Sequence, residues 1–383
     1  MNTDFTPHQQ ALREELREFL AEQLPPRWVG VWQDARSIEQ SEAITVAMAE
    51  RGWLTYYWPA EYGGADGTVW DQVVIQEELF AHHEPRGSQY MGVNWIGPAL
   101  MTYGTDEQKK KYLPEIASGQ GFWAQLFSEP DAGSDLAAIR TTAVLDGNEF
   151  VINGEKVWTS YANTAQHGFL LARSEPGSTR HKGISALLIE MDSPGIEVRE
   201  IESTIGWHRF HGVTFSDVRV PRSALLGGLH EGWAVAMHAL PLERVGNARY
   251  ARSTRVLGLA ESARRAASDA DEPEVADILA LGRMAELLNY QAAAIKEANG
   301  TLDWQASMAF VANATYEQRV AAFAEQVYGF EAFVASGDDL APAGGEIESF
   351  VARQAPTVTI QAGTYQVQLS TIARRALGLP RAL

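Results

Sequence analysis

A carboxylate and a guanidinium stand next to each other in a stretch that otherwise has the pattern of an apolar helix. They are Glu243 and Arg244, within HALPLERVGNARY (238–250). A carboxylate that is removed from water can act as a general base near neutral pH. Charged pairs on a solvated helix face are nevertheless common and contribute little to stability. The pair alone therefore leaves both interpretations open.

A polar turn is predicted at FSEPDAGSD (127–135), directly after the predicted strand GFWAQL. Its backbone N–H groups and the hydroxyls of Ser128 and Ser134 can bind a flat heterocycle or a phosphate. The alternative for this segment is an ordinary surface loop.

An aromatic ring beside two hydroxyls occurs in GEKVWTSYA (154–162). Trp158, Thr159 and Ser160 suit stacking on a flavin and hydrogen bonding to it. A tryptophan in the core is the alternative.

Composition narrows the possible functions. The chain has 383 residues, 45% of them hydrophobic, and a formal net charge of −18. This charge would repel a nucleic acid backbone. The absence of cysteine excludes thiolate catalysis and iron–sulfur clusters.

No metal site is predicted, because His181, His208 and His211 have no carboxylates at ligand spacing. No membrane helix or secretion signal is recognised, so we expect a cytoplasmic protein.

The chain divides into three predicted segments. Residues 1–120 are helical, with Thr6 as a cap before Pro7 and a second cap at Thr105 or Asp106. Residues 121–228 alternate in the manner of strands, and their D-G and N-G pairs predict tight hairpins. Residues 229–383 return to a helical period and predict a bundle. This order predicts an α+β fold.

Six segments at this spacing resemble the acyl-CoA dehydrogenase family. They span essentially the whole chain: GWLTYYWPAEYGG, YGTDEQKKKYLPEIASG, FSEPDAGSD, INGEKVWTS, FSDVRVPRSALLG and the closing GTYQVQLSTIARRALGLPR. The resemblance implies an N-terminal helical domain, a central β-barrel-like domain and a C-terminal four-helix bundle. It also implies FAD as cofactor and an acyl-CoA substrate that loses two hydrogens from its α and β carbons.

The resemblance also assigns the cofactor contacts. One wall around FAD would come from the 127–135 loop and the residues before it, namely Gln125, Phe127, Ser128, Gly133 and Ser134. The other contacts would come from Trp158, Thr159, Ser160, Thr364 and Gln366.

The base is displaced from its usual position in this family. Most members carry a catalytic Glu in a C-terminal E-G-T motif, but here the stretch is QAGTYQVQ and the position is Ala362. A methyl group cannot abstract a proton. A minority of the family, including the isovaleryl-type enzymes, has its base in an L-E-R context, which LPLERVG matches. The resemblance therefore implies Glu243 as base and Arg244 as an active-site arginine. Ala362 would keep its backbone N–H for the thioester carbonyl.

This chain lacks most of the motif residues in two further segments. In the family's homotetramers, these segments complete the FAD site of a neighbouring subunit. No Phe-Gly follows the arginines in ARRAASDADEPEVADI (263–278), and EQVYGFEAFVASG (325–337) keeps only Gln326 and Gly329 of its motif. The pattern resembles the Glu-bearing subunit of actinobacterial steroid-side-chain acyl-CoA dehydrogenases, which are α2β2 heterotetramers. It implies a second, related subunit and half as many flavins as chains. A homo-oligomer is the alternative.

The acyl group and the electron acceptor stay open. In the family that the chain resembles, a displaced base is associated with bulky or branched acyl groups, so the resemblance implies a steroid-side-chain or branched acyl-CoA. The stretch EPRGSQYMGVNWIGPAL (84–100), with Gly92 and Gly97, either lines a wide pocket or packs helices closely. Electron-transfer flavoprotein is the expected acceptor. The alternatives are an oxygen-using flavin oxidase relative and a catalytically silent partner subunit.

Overall fold

The structure, a computed structural model, describes residues 4–31, 33–206, 210–245, 248–267 and 273–380. Contacts between residues divide the chain into two compact units. We call one the sheet unit (41–65 and 86–243) and the other the helical unit (1–40, 66–85 and 244–383). The division into 1–120, 121–228 and 229–383 stays a prediction.

Helices make up most of both ends of the chain. They are α1 (Pro7–Gln23), α2 (Ala35–Glu50), α3 (Val69–Ala81), α4 (Gln89–Met91), α5 (Gly97–Tyr103), α6 (Asp106–Ala117), α7 (Gly232–Val245), α8 (Arg249–Ala267), α9 (Pro273–Glu297), α10 (Trp304–Tyr328), α11 (Glu346–Glu348) and α12 (Tyr365–Arg375). Within the described ranges, no helix combines the length and the apolar character needed to cross a membrane.

Side-chain caps fix where two of the predicted helices begin. Thr6 accepts from the backbone N–H of Gln9, whose side chain accepts from the N–H of Thr6, and Pro7 opens the helix. Thr105 and Gln108 form the same reciprocal pair at the start of α6. Each pair satisfies two backbone N–H groups that have no partner within the helix. The predicted caps at Thr6 and Thr105 are confirmed.

The predicted middle β-domain is an eight-stranded mixed sheet in the described residues. The strands are β1 (Trp123–Leu126), β2 (Thr142–Asp146), β3 (Glu149–Ser160), β4 (His167–Arg173), β5 (Ile184–Glu190), β6 (Ile196–Ile201), β7 (Phe210–Pro221) and β8 (Leu225–Leu226). Their order is β6-β7-β3-β2-β4-β5-β8, and β1 pairs in parallel with β4. The sheet is open in this order, so the barrel-like domain does not close.

One of the two predicted hairpin turns is correct. The D-G pair forms the turn between β2 and β3, where Gly147 has a φ of 64°. The N-G pair at Asn153 and Gly154 instead lies inside β3, so the prediction of a hairpin there was wrong. The register of β3 against β7 shifts at this point. Gly154 has a φ of 145°, and a Cβ there would lie 2.6 Å from the Thr141 hydroxyl. The glycine therefore permits a bulge.

The helical unit is built around α10, which packs against α8, α9 and α12. Its buried core includes Val256, Tyr290, Phe323 and Phe350. The prediction of a C-terminal helical bundle is confirmed. The 263–278 segment, which lacks the Phe-Gly of the family motif, includes residues 268–272, which lie outside the described ranges.

Candidate active site

The 127–135 loop is hydrogen-bonded to β3, the strand that contains Trp158. The Ser128 carbonyl accepts from the N–H of Val157 (2.9 Å), and Glu129 and Ala132 exchange two backbone hydrogen bonds of 3.0 Å. Phe127 is buried and meets Phe169 edge to face, with ring centroids 5.0 Å apart. These contacts bring two of the segments assigned to the flavin directly together.

The loop is also held by a buried ion pair between Lys156 and Glu129, which the sequence interpretation missed. Lys156 is 0% exposed, and its Nζ donates to Glu129 Oε1 (2.8 Å) and to the Phe127 carbonyl (3.0 Å). Glu129 also accepts from the backbone N–H groups of Arg140 (2.6 Å) and Thr141 (3.0 Å). The loop is therefore fixed by charge as well as by backbone pairing.

The pKa values of this pair record the balance between burial and attraction. Burial lowers the pKa of Lys156 to about 8 despite the attraction of Glu129. Burial also raises the pKa of Glu129, but the charge and hydrogen bond of Lys156 outweigh it, and the pKa lies below its ordinary value. Both groups are therefore charged at neutral pH.

Trp158 presents its ring to solvent at the end of β3. The residue is 58% exposed and has a backbone φ of 59°, and the ring of Phe210 meets its ring edge to face with centroids 6.1 Å apart. Thr159 is instead buried, and its Oγ1 has no hydrogen-bond partner in the described chain. Ser160 is partly buried. Of the three predicted ligand side chains, Trp158 and Ser160 thus reach the surface and Thr159 points inward.

The remaining residues assigned to the cofactor in the sheet unit differ in accessibility. Gln125 is partly buried, and its Oε1 accepts from Trp95 Nε1 (2.6 Å). Gly133 and Ser134 are exposed. A Cβ added at Gly133 would meet no atom of the described residues within 4 Å, so packing within them does not explain this glycine. It does leave the backbone open to close approach by a ligand.

Residues 361–364 form a tight turn in the helical unit, which we call the Ala362 turn. Ala362 has a φ of 55° and Gly363 a φ of 81°. The Ala362 carbonyl accepts from Arg244 Nε (3.3 Å) and from Gln368 Nε2 (2.9 Å). Two positions that the resemblance assigns to one active site, Arg244 and Ala362, are therefore in contact.

The N–H of Ala362 donates to no acceptor in the part of the chain that the structure describes. Its left-handed backbone, uncommon for a residue with a Cβ, is stabilised through the carbonyl instead. Gln368 is fully buried, and its Oε1 accepts from Ser307 Oγ (2.7 Å). The turn is therefore held by side-chain hydrogen bonds to its carbonyl, and its Ala362 N–H is available to a ligand.

Thr364 and Gln366 stand at the start of α12. Thr364 is the N-cap, and its hydroxyl accepts from the N–H of Val367 (3.3 Å). Gln366 is exposed. The structure thus gives Thr364 a helix-capping role that the sequence interpretation did not identify.

Glu243 lies in the last turns of α7, which continues through Pro241 without interruption. The side chain is partly buried, and its Oε2 atom is inaccessible to solvent. The carboxylate therefore does not lie on an open solvated face.

Gly97 supports the close-packing interpretation of the 84–100 stretch. A Cβ at this position would lie 2.3 Å from the ring of Trp58, and one at Gly92 would lie 3.3 Å from the Gln89 side chain. The glycines are thus accounted for by packing.

The described residues contain no group of three His, Cys, Asp or Glu side chains that could hold a metal ion. His211 Nδ1 contacts the Thr159 carbonyl (3.3 Å), and His181 lies against Trp233. His208 lies outside the described residues.

Three family models match consecutive parts of the chain. They are the acyl-CoA dehydrogenase N-terminal domain at residues 6–120, the middle domain at 124–218 and the C-terminal domain at 230–377. The chain belongs to the acyl-CoA dehydrogenase family. Members of this family of oxidoreductases are flavoproteins, and the predicted fold class is confirmed.

Individual acyl-CoA dehydrogenases are similar along the full length. IpdE1 of Mycobacterium tuberculosis is 33% identical over 96% of this chain and 97% of its own. The ChsE4-ChsE5 complex of Mycobacterium tuberculosis and the Tcur3481-Tcur3483 steroid acyl-CoA dehydrogenase each match with a TM-score of 0.89 and 31% identity. Both matches cover 100% of this chain and of the other.

Proposed function

We propose that the chain binds FAD and dehydrogenates an acyl-CoA thioester between its α and β carbons, with Glu243 as the base. The observation that carries this proposal is the hydrogen bond from Arg244 to the Ala362 carbonyl. It joins the residue next to Glu243 to the turn that stands at the family's usual base position. A site with a displaced base requires these two segments to act together.

Glu243 would take the proton from the α carbon. Its Oε2 atom is inaccessible to solvent, and a carboxylate shielded from water is a stronger base than an exposed one. The family's usual base position cannot supply a carboxylate in this chain, because the side chain of Ala362 is a methyl group.

The backbone N–H of Ala362 would donate to the thioester carbonyl oxygen. Removal of the α-proton places negative charge on that oxygen, and an oriented backbone donor stabilises it. Arg244 and Gln368 hold the turn through its carbonyl, which leaves the N–H free for this role.

The exposed groups of the sheet unit fit FAD. A bound FAD would supply the acceptor for the hydride of the β carbon. Trp158 offers an exposed aromatic face for stacking, and Gly133 leaves room beside the backbone. Phe127 and Thr159 would contribute backbone groups, because their side chains are buried. The other proposed contacts are Gln125, Ser128, Ser134, Ser160, Thr364 and Gln366.

Titration of the FAD-reconstituted chain with acyl-CoA under anaerobic conditions tests this function. Bleaching of the flavin absorbance by substrate supports it. Tight FAD binding without bleaching by any acyl-CoA would instead favour the silent-subunit alternative. Rapid release of H2O2 in air would favour an oxidase over transfer to electron-transfer flavoprotein.

We also propose a hetero-oligomer with a second acyl-CoA dehydrogenase-like subunit. Two of the most similar structures have names that pair two proteins, ChsE4-ChsE5 and Tcur3481-Tcur3483. In this chain, Phe330 is 88% exposed, and Phe333 and Leu340 are also exposed. These side chains lie in or shortly after the 325–337 stretch, which lacks most residues of the homotetramer motif. Large exposed apolar side chains close together in sequence are typical of an interface.

Flavin counting distinguishes this assembly from a homo-oligomer. The chain is purified alone and after co-expression with its genomic neighbour. Half as many flavins as chains in the co-expressed complex supports the hetero-oligomer. Full occupancy in the protein expressed alone excludes it. Titration with a steroid-side-chain and a short branched acyl-CoA then identifies the preferred acyl group, for which we propose the steroid type.

A further inference from the structure

The peptide that carries the Ala362 N–H joins Gln361 to Ala362, so its orientation depends on both residues. On the Ala362 side, Arg244 and Gln368 bind the carbonyl. On the other side, the backbone N–H of Gln361 donates to the Thr357 carbonyl (3.3 Å). The side chain of Gln361 makes a further contact, which leads into the core of the helical unit.

Arg249, at the start of α8, binds the side chain of Gln361. The amide of Gln361 faces two guanidinium nitrogens, which are both donors, so its oxygen is assigned to that side. This oxygen accepts from Arg249 Nη1 (3.2 Å) and Nη2 (2.8 Å). Only 13% of the Arg249 side chain is exposed, so the contact lies largely away from water. A hydrogen bond to a charged donor is strong in such a place.

Arg249 in turn faces a glutamate in the core. Glu317 of α10 is fully buried, and its Oε1 accepts from Arg252 Nη2 (2.6 Å). Its Oε2 lies 3.9 Å from Arg249 Nη1 and has no hydrogen-bond partner in the described residues. Arg249 and Arg252 are three positions apart on α8, so they lie on the same face of that helix. One carboxylate therefore stands between two guanidinium groups that are largely removed from water.

The two arginines need this carboxylate to keep their positions. Like charges on one helix face repel each other, and a buried charge that loses its counter-ion is strongly destabilised. Arg252 is only 5% exposed, whereas Arg249 lies nearer to the surface. Without Glu317, we therefore expect Arg249 to turn toward solvent and to release Gln361.

Packing alone does not explain a glutamate at position 317. Of the four residues one helical turn away on α10, three are apolar and buried: Ala314, Val320 and Ala321. Replacement of a buried ion pair by apolar side chains is often neutral or stabilising, so stability does not require a charge here. The position of the guanidinium groups does.

We propose that Glu317 is a positioning residue for the dehydrogenation. Through Arg249 and Gln361 it orients the Gln361–Ala362 peptide, so that the Ala362 N–H points to the thioester oxygen. The inference rests on the proposed function. Glu317 itself touches neither substrate nor cofactor in this assignment.

Two substitutions interrupt these contacts at different points. Glu317→Gln removes the charge and keeps the shape, and Gln361→Leu removes the acceptor for Arg249. They are made singly and together in the full-length, FAD-reconstituted chain. Glu18→Gln is the matched control, because Glu18 is exposed on α1. If Glu317→Gln does not fold, it is combined with Arg252→Gln, which removes one charge of each sign.

Kinetics are measured with the acyl-CoA that bleaches the wild-type flavin. Each single variant should lower kcat by about 10- to 100-fold, because a misplaced donor stabilises the transition state less well. KM should change little, since the negative charge on the oxygen develops only in the transition state. The double variant should lose no more than the more affected single variant, because both changes break the same path. Glu18→Gln should keep the wild-type kcat.

Acetoacetyl-CoA provides a measurement that needs no hydride transfer. Its α C–H lies between two carbonyl groups and ionises without an oxidant, and absorbance follows the enolate. A donor at the thioester oxygen should lower the pKa of the bound thioester below that of the free one. Glu317→Gln and Gln361→Leu should each raise this pKa by about 1, a tenfold loss of stabilisation. The removal of a negative charge alone would lower the pKa, so a rise is specific to a misplaced donor.

Wild-type kcat in both variants, or losses that multiply in the double variant, would overturn the assignment. A loss of stability in urea without the kinetic and enolate effects would give Glu317 a structural role only. A wild type that leaves the pKa of acetoacetyl-CoA unchanged would also overturn it, because the N–H would then not serve the oxygen. Failure of the proposed function has a different signature: no acyl-CoA bleaches the wild-type flavin, but the enolate still responds to the variants.

Discussion

The 127–135 loop and the Ala362 turn are both irregular segments with backbone groups available to a ligand, but they are held in different ways. The loop depends on the buried charges of Lys156 and Glu129. The turn is held through one carbonyl by Arg244 and Gln368. A segment held by its backbone tolerates a change of its own side chain, whereas a segment held by a buried ion pair does not. This difference is consistent with an alanine at the position where the resemblance places a catalytic glutamate, because the turn keeps its N–H whatever side chain it carries.

The largest expected effect is the loss of the proposed base, Glu243. We expect Glu243→Gln to lower kcat/KM by about 10²- to 10⁴-fold, the range typical of a general base. The amide has nearly the same shape but does not accept the α-proton. FAD binding, measured by absorbance and fluorescence, should be unchanged. Activity close to that of the wild type would contradict the assignment and favour a silent subunit.

The loop should respond strongly to loss of one charge. Lys156→Met leaves Glu129 buried without its cation, which typically costs about 3–5 kcal/mol. We expect lower stability in urea and weaker FAD binding. Glu129→Gln combined with Lys156→Met should restore part of the stability, because it removes the buried unpaired charge, and the amide oxygen still accepts from one of the two backbone N–H groups, of Arg140 and Thr141, that bind the carboxylate.

Lys110→Met is the matched control for that experiment, because Lys110 is exposed. A Lys156→Met protein as stable as this control would show that the ion pair does not hold the loop. A double variant no better than the single one would show that the loss comes from packing around the lysine stem.

The tolerance of the Ala362 turn can be tested by returning a carboxylate to it. In the Glu243→Gln background, Ala362→Glu should recover activity by about 10-fold or more, as expected for partial general-base catalysis. The change adds no new backbone strain, since alanine already has a Cβ at a φ of 55°.

Ala362→Gln in the same background supplies the same bulk without a base and should recover nothing. Equal activity of the glutamate and glutamine variants would mean that the turn does not face the α carbon.

The sequence predicted the elements whose signals are local. The Thr6 and Thr105 caps and the turn at Gly147 follow from neighbouring residues, and all three are present. The N-G prediction failed because the glycine at position 154 serves another purpose: it allows the close approach of Thr141, a residue on another segment. Local turn chemistry does not reveal that contact.

The candidate site shows the same limit. The motifs identified Trp158 and the loop, but not Lys156, because a lysine in an alternating strand normally points to solvent. Its apolar surroundings become visible only when the sheet is assembled. The left-handed backbone at Ala362 was equally hidden, since alanine gives no sign of it. The contact between Arg244 and Ala362 joins residues 118 positions apart.

The smallest expected effect concerns the support of the Ala362 turn. Gln368→Leu removes the donors to the Ala362 and Gly363 carbonyls and leaves the Ser307 hydroxyl without its acceptor. Of these groups, the fully buried Ser307 hydroxyl is the one left unpaired away from solvent, at a cost of about 1–3 kcal/mol. We expect a modest loss of stability and a fall in kcat with little change in FAD binding, because the turn that carries the Ala362 N–H loses one of the two side chains that hold its carbonyl.

Ser370→Ala, at an exposed position of the same helix, is the control and should change neither quantity. Adding Ser307→Ala to Gln368→Leu removes one unpaired hydroxyl, so it should return part of the stability but none of the lost kcat. If kcat recovers together with stability, the glutamine acts only through packing. The turn would then owe its position to Arg244 alone.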